Sequence, residues 1–169
     1  NISYLKSKIK KEKIVTLVVG GPNKYYQYKS KEVEEIFLKI KQNFINNDYQ
    51  LIFIPSMRTP KNVIDKAKNY FDDHQIIVTE IDKKAYLSSL GLADHIIVTC
   101  DSTSMISEAA ITGKPIYVAH MPPIKNNYRF KKFFEMFKKL NITKDLGDNL
   151  EVWKYEKLNE TDRISGYIK

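Results

Sequence analysis

Ile96 to Val118 reads IIVTCDSTSMISEAAITGKPIYV, and this stretch decides the fold. An apolar run, Ile96-Ile97-Val98, stops at a small polar cluster, Thr99-Cys100-Asp101-Ser102-Thr103-Ser104. A short amphipathic segment covers Met105 to Thr112, and Gly113-Lys114-Pro115 breaks it before a second apolar run, Ile116-Tyr117-Val118. The pattern predicts strand, hydroxyl-rich turn, helix, tight turn and strand, which is a βαβ unit. In such units the loop leaving the first strand and the helix N-terminus together form a natural seat for an anion.

The chain on either side repeats the alternation. Ile14 to Val19 (IVTLVV) is a near-continuous apolar run rich in β-branched residues, the mark of a strand buried on both faces of a parallel sheet. It ends in Gly20-Gly21-Pro22-Asn23-Lys24, a loop of permissive backbone. Ser30 is placed to cap a helix from Lys31 to about Asn46, whose Val33, Ile36, Phe37, Ile40 and Phe44 share one face. Leu51 to Ile54 (LIFI) is the second strand, and it stops at Pro55-Ser56-Met57-Arg58-Thr59-Pro60. Pro60 suits a first helical turn with Thr59 as its cap, and Val63, Ile64, Ala67, Tyr70 and Phe71 supply the apolar stripe. Ile76 to Val78 is a third, shorter strand, and a small helix near Ala85 to Leu90 ends at Gly91. The fourth strand starts near His95 and the fifth covers Ile116 to Ala119. Tyr128 to Leu140 is a helix with Phe130, Phe133, Phe134 and Phe137 on one side and lysines on the other. Beyond Ile142 the periodicity fades, with Leu146-Gly147-Asp148 as a turn and Trp153 and Tyr155 packing back on the domain.

Strands alternating with helices over short connections define the fold class as α/β. The expected architecture is a Rossmann-like three-layer sandwich with a mostly parallel sheet in the order 3-2-1-4-5. Strands one and four are then neighbours across the switch point, so the Gly20-Gly21 loop and the Asp101–Ser104 turn meet in one crevice. Residues 1–169 read as a single domain, with 1–12 as a linker and 156–169 as a polar tail. The chain begins at Asn1 rather than Met, which is expected of a processed form or a piece of a longer protein.

Hydrophobic residues make up 43% of the chain and charged residues 28%, which excludes a disordered protein. The net charge of +8 favours nucleic acid, a membrane surface or phosphorylated small molecules as partners. The lysines are scattered over helix surfaces rather than clustered, so nucleic acid is not expected. One cysteine, Cys100, rules out an internal disulfide and fits a reducing compartment, and its place after an apolar run marks it as a buried small hydrophobe. No run approaches the roughly 18 apolar residues of a membrane span. The expected location is cytoplasmic, free or peripheral at a membrane surface.

Several nucleotide motifs are absent. Gly20-Gly21-Pro22-Asn23-Lys24-Tyr25 is not the dinucleotide fingerprint, and no acid follows the second strand to hold a ribose. No Gly-Lys-Ser/Thr opens a helix, and Gly113-Lys114 lies at a helix end, the wrong end for phosphate. No cluster has metal spacing, no nucleophile elbow is present, and no cofactor is expected. The opening stretch offers a different chemistry, the binding of a nucleoside-diphosphate sugar. Ser102, Thr103 and Ser104 surround a helix start, where hydroxyls and free N–H groups can cradle a diphosphate. Glu108 follows Ser104 at i, i+4, where a carboxylate can accept from two ribose hydroxyls. Gly20, Gly21 and Lys24 would approach the diphosphate from the other side, Lys24 as a point charge or merely solvated. Arg58 is a candidate phosphate fork, or else a partner in a packing salt bridge. Asp101 would repel a pyrophosphate, so capping is its default role, with a metal bridge or sugar contact as alternatives. His120 reads as a surface histidine at the crevice edge.

With these residues placed, a family resemblance emerges. ADHIIVTCDSTSMISEAAITGKPIYV resembles the donor-binding βαβ unit of GT-B glycosyltransferases. More closely, the chain resembles the ELM1-like family, mitochondrial fission ELM1 and its bacterial relatives. The matching segments are Gly20 to Tyr26, Ser56-Met57-Arg58-Thr59-Pro60, and Thr99 to Ala109 with Gly113-Lys114-Pro115, in the same order over most of residues 14–119. The relatives usually carry SRRTP where this chain has SMRTP, so Arg58 stays and one basic residue is lost. The segment from Glu80 to Ala85 also departs from the relatives' acidic, Asn-Pro-rich pattern. The resemblance implies the C-terminal, nucleotide-side half of a two-domain GT-B protein, working with an N-terminal domain that would supply the catalytic base. It implies transfer of a sugar from a nucleoside diphosphate to an acceptor, which could be membrane-associated, with this half alone inactive. The alternatives it leaves open are a sugar-nucleotide epimerase or hydrolase and a non-enzymatic protein-interaction or membrane-recruitment module.

Overall fold

The buried apolar runs become the strands of one parallel sheet. The computed structural model of the chain describes residues 3–147 and 149–156. Strand β1 (Lys13–Val19) is buried at every position except Lys13, and β2 (Tyr49–Pro55), β4 (His95–Thr99) and β5 (Ile116–Ala119) are buried throughout. Burial on both faces is what a parallel sheet covered by helices requires of its central strands. Strand β3 (Ile76–Ile77) is only two residues long.

The sheet order is β3-β2-β1-β4-β5-β6, and every pair is parallel. The expected order 3-2-1-4-5 is present and is extended by a sixth strand, β6 (Thr143–Asp145), which pairs Thr143 with Ile116. The sequence Thr-Lys-Asp gives no apolar signal, because β6 is an edge strand with one buried residue. Val15 faces Leu51 on one side and His95 on the other, which puts β1 and β4 side by side at the switch point.

Helices cover both faces. Phe37 of α2 (Ser30–Asn43) meets Phe53 of β2 and Phe71 at ring-centre distances of 6.4 and 5.1 Å. Leu17 is level with Phe53, so its neighbour Thr16 points to the opposite face, where its hydroxyl donates to Ser89 O of α4 (Lys83–Leu92) at 3.0 Å. Lys114 Nζ donates to Leu90 O and Gly91 O, which seats the end of α5 (Thr103–Ala110) beside α4. The chain enters through α1 (Ser3–Lys6). Within the segment read as a linker, Leu5 is buried against Ile14, Ile52 and Ala85, and Lys10 N donates to Gln50 Oε1.

Several local assignments need correction. Lys29, not Ser30, is the N-cap of α2, and the helix stops at Asn43 before a short 3₁₀ turn, Ile45–Asn47. Pro60 is the N-cap of α3 (Lys61–Tyr70), and Thr59 is spent elsewhere. Helix α4 runs past Gly91 to Leu92, with Asp82 Oδ1 accepting from Ala85 N at its start. Gly113 takes φ 77° and turns the chain from α5 into β5, a left-handed conformation that suits glycine. Helix α6 (Tyr128–Lys139) buries Phe133, Phe134 and Phe137, as its pattern requires. Trp153 packs edge-on to Tyr117 at 5.1 Å, and Tyr155 Oη donates to Lys114 O at 2.6 Å. The expected tail from 157 on, and Asp148 of the expected turn, lie outside the described residues.

Candidate functional site

The site follows from where β1 and β4 end. Both strands stop at the same rim, and the loops leaving them are joined by hydrogen bonds across about eighty residues of chain. Gly20 N donates to Thr99 Oγ1 at 2.8 Å and Gly21 N donates to Asp101 Oδ2 at 3.0 Å. The expected meeting of the Gly20-Gly21 loop with the Asp101 turn is therefore present. Its chemistry differs from the expectation, because the two glycine amides are turned inward onto Thr99, the last residue of β4, and Asp101 in the turn after it.

Asp101 is the hub, and it does not cap α5. Its side chain is fully buried (0% exposed), and Ser102 takes the N-cap position. Asp101 Oδ2 accepts from Gly21 N and, at 3.1 Å, from Arg58 Nη2. Asp101 Oδ1 accepts a short hydrogen bond from Tyr28 Oη. A buried carboxylate persists only when donors compensate its lost hydration, and here an amide, a phenol and a guanidinium do so. Burial first, and the Asp101 charge second, push the ionisation of Tyr28 far above its ordinary range, so Tyr28 stays a donor.

The two glycines are needed for close approach. A Cβ on Gly20 would stand 2.1 Å from Asp101 Oδ2, and a Cβ on Gly21 would stand 2.1 Å from the Arg58 carbonyl oxygen. Thr59 explains why it is no helix cap. Its hydroxyl donates to Gly20 O at 2.7 Å while its oxygen accepts from Ser56 N at 2.8 Å. The β2–α3 loop thus holds the β1 loop from the other side, and Arg58 Nη1 donates to Gly21 O at 3.0 Å.

The remaining sequence-derived residues fall into two groups. Ser102, Thr103 and Ser104 open α5 beside this hub. Ser102 is 3% exposed and makes no side-chain cap bond. The first α5 amide to reach a carbonyl is that of Ile106, which donates to Ser102 O at 3.1 Å. The N–H groups of Thr103, Ser104 and Met105 come before it and are left to the helix start. Arg58 bonds the residue just before Ser102 and keeps its side chain 45% exposed, so its charge lies next to that start. Glu108 and Lys24 stand apart from the hub. Glu108 is exposed and its Oε2 accepts from Tyr86 Oη of α4 at 3.1 Å, while Lys24 is exposed on the β1 loop.

Other expectations resolve simply. Cys100 is buried, and burial pushes its thiol up to about 12, which makes it inert. Tyr26 is buried against Phe130, its hydroxyl accepting from Asn127 Nδ2 at 2.9 Å. His120 is a surface histidine that pairs with Asp145 Oδ1 at 2.7 Å and lies edge-on to Phe134, tying β5 to the edge strand. Among the described residues no set of three His, Cys, Asp or Glu is placed to hold a metal ion. Two concavities, of about 250 Å³ beside β3 and about 490 Å³ between α2 and α3, are lined by other residues than the hub.

Tyr28 and Thr99 escaped the sequence reading. A tyrosine in a polar loop carries no periodic signal. Thr99 could have been suspected as the polar end of an otherwise apolar buried strand.

The profile of the family described as mitochondrial fission ELM1 matches residues 3–169. The chain is 30% identical over 166 residues to the uncharacterized protein RP120 of Rickettsia prowazekii (strain Madrid E), covering 94% of this chain and 46% of that protein. It is 34% identical over 87 residues to the mitochondrial fission protein ELM1 of Arabidopsis thaliana, covering 50% of this chain and 20% of that protein. The chain thus spans less than half the length of either relative. No solved structure matches it. With the three loop segments joined in one hub and the family profile running along almost the whole chain, the protein belongs to the mitochondrial fission ELM1 family.

Proposed function

We propose that this domain is the nucleotide-diphosphate-sugar-binding half of a GT-B-type glycosyltransferase. The observation that carries the reading is the start of α5, where three backbone N–H groups precede the first helical bond and the Ser102 hydroxyl is not spent on its own helix. Arg58, half exposed and anchored to Asp101, supplies the cation beside it. A diphosphate seated there receives the helix dipole, hydroxyls and a guanidinium, which stabilise the charge that grows on a leaving nucleoside diphosphate. Glu108, oriented by Tyr86, is the proposed acceptor for ribose hydroxyls. The acceptor sugar site and the catalytic base are assigned to an N-terminal domain, so this half by itself is inactive.

The second reading is a protein-interaction or membrane-recruitment module without enzymatic activity. It is favoured by the name of the Arabidopsis relative, a mitochondrial fission protein. Among the described residues no helix is long and apolar enough to cross a membrane, so recruitment to a membrane would be peripheral. Calorimetric titration of this domain, and of a longer protein containing it, with UDP, GDP, ADP and CDP separates the two. The first reading expects one of the four to bind and Glu108→Ala to abolish or greatly weaken that binding. If none binds to the longer protein, the enzyme reading fails.

A further inference from the structure

We propose that Tyr28 is a positioning residue for anion recognition, acting through Asp101 to hold the Arg58 guanidinium in one pose beside the start of α5. The ligand in this inference rests on the diphosphate reading above; the positioning rests on ligand-free geometry.

The hydrogen bonds run in one direction. Gly20 N donates to Thr99 Oγ1 at 2.8 Å. The Thr99 hydroxyl is 2.9 Å from Tyr28 Oη, and the single phenol proton goes to Asp101 Oδ1. With its own proton committed to Asp101, the phenol oxygen is the acceptor for Thr99. The relay therefore ends on Asp101, and each bond polarises the next. That fixes one carboxylate oxygen and leaves the other for Gly21 N and Arg58 Nη2. Arg58 Nη1 is held separately by Gly21 O at 3.0 Å. A planar guanidinium held at both terminal nitrogens has its plane set. Its remaining N–H groups stay on the exposed side, since the Arg58 side chain is 45% exposed while Asp101 beneath it is 0% exposed.

Removing the Tyr28 hydroxyl leaves Asp101 Oδ1 without its side-chain donor. The carboxylate can then rotate, and Arg58 recovers the rotamer freedom that the hub denies it. An arginine ordered in advance binds an anion without that entropic cost, so affinity falls when the order is lost. A tyrosine that merely fills space would act on the fold and not through Arg58, and a double-mutant cycle distinguishes the two.

The probe is inorganic pyrophosphate, titrated by calorimetry into wild type, Tyr28→Phe, Arg58→Ala and the double variant. Tyr28→Phe is expected to weaken binding by about 3- to 10-fold, because Arg58 loses its fixed pose but keeps its charge. In the Arg58→Ala background the same substitution is expected to change nothing. An equal loss with and without Arg58 overturns the proposal while leaving the diphosphate reading intact. Absence of pyrophosphate and nucleoside-diphosphate binding in wild type overturns the diphosphate reading and the anion role with it. A ligand-free measurement tests the positioning alone. Hydrogen exchange at the Gly21 amide is expected to be about 10-fold faster in Tyr28→Phe than in wild type, since its acceptor loosens. Unchanged exchange overturns the positioning whatever binds. Should Tyr28→Phe fail to fold, Thr99→Val removes the two relay bonds before Tyr28, keeps the Tyr28–Asp101 bond, and is expected to show a smaller Arg58-dependent loss of pyrophosphate affinity.

Discussion

Substituting Gly21 by alanine tests what the two glycines are for. The added Cβ would stand 2.1 Å from the Arg58 carbonyl oxygen and 2.4 Å from its carbonyl carbon, where ordinary contact begins at 3.4 Å. Neither atom is the free end of a side chain. The obstacle is backbone, in a loop tied by Thr59 N to Ser56 O and by Thr59 Oγ1 to Gly20 O. Relief means moving one loop from the other by about 1 Å, an overpacking cost of about 1–3 kcal/mol. The shift also strains the bonds from Gly21 to Asp101 and Arg58, which contribute about 1 kcal/mol each. A total loss of about 2–4 kcal/mol is expected, lowering the melting temperature by about 5–15 °C for a chain of this length. Thermal and urea denaturation followed by circular dichroism would measure it, without any ligand. A variant within about 0.5 kcal/mol of wild type would refute the hub geometry and return the glycine to a role in ligand approach.

Three further outcomes are expected. Phe37→Ala removes a fully buried ring that joins α2 to Phe53 and Phe71, and should cost about 3–5 kcal/mol by urea denaturation. Gly113→Ala places a side chain at φ 77° and should destabilise by about 1 kcal/mol in the same assay. His95 is buried among Phe44, Tyr49 and Tyr117, its Nε2 bonded to Glu151 O and its Nδ1 without a partner. Burial holds its folded-state ionisation below the ordinary histidine value, so the unfolded chain binds the proton first. Stability is therefore full above about pH 6.5 and falls as pH drops toward the lower folded value, a slope that His95→Gln should remove from pH-dependent urea midpoints.

Most of the fold was legible because parallel strands covered on both faces must be apolar along their length. Ile14–Val19, Leu51–Ile54, Ile96–Val98 and Ile116–Ala119 each announce themselves in this way, and the switch point follows from their alternation with helices. Strand β6 was not legible, since an edge strand of Thr143, Lys144 and Asp145 has one residue to bury. Hydroxyls were misjudged where a distant partner outcompeted a local one. Thr59 looks like a cap, yet Gly20 O and Ser56 N claim it from a loop and a turn. Asp101 was misjudged likewise. Beside a helix start a carboxylate reads as a cap, and only the packing of the β1–α2 and β2–α3 loops against it brings Tyr28 and Gly21 from the first and Arg58 from the second. The crevice itself was legible from topology; the assignment of its donors required knowing which amides were already taken.

The hub also has a kinetic meaning. Its bonds join Gly20 to Thr99 and Gly21 to Asp101, pairs 79 and 80 residues apart, and they require β4 to have crossed over to β1. Contacts of such long loop closure arrive late in folding, after the local helices and the β1–β2 pairing. The rim that carries the hub is thus expected to assemble after those elements and to open before them. A molecule that bridges α5 and Arg58 would act as a brake on unfolding more than as an aid to folding.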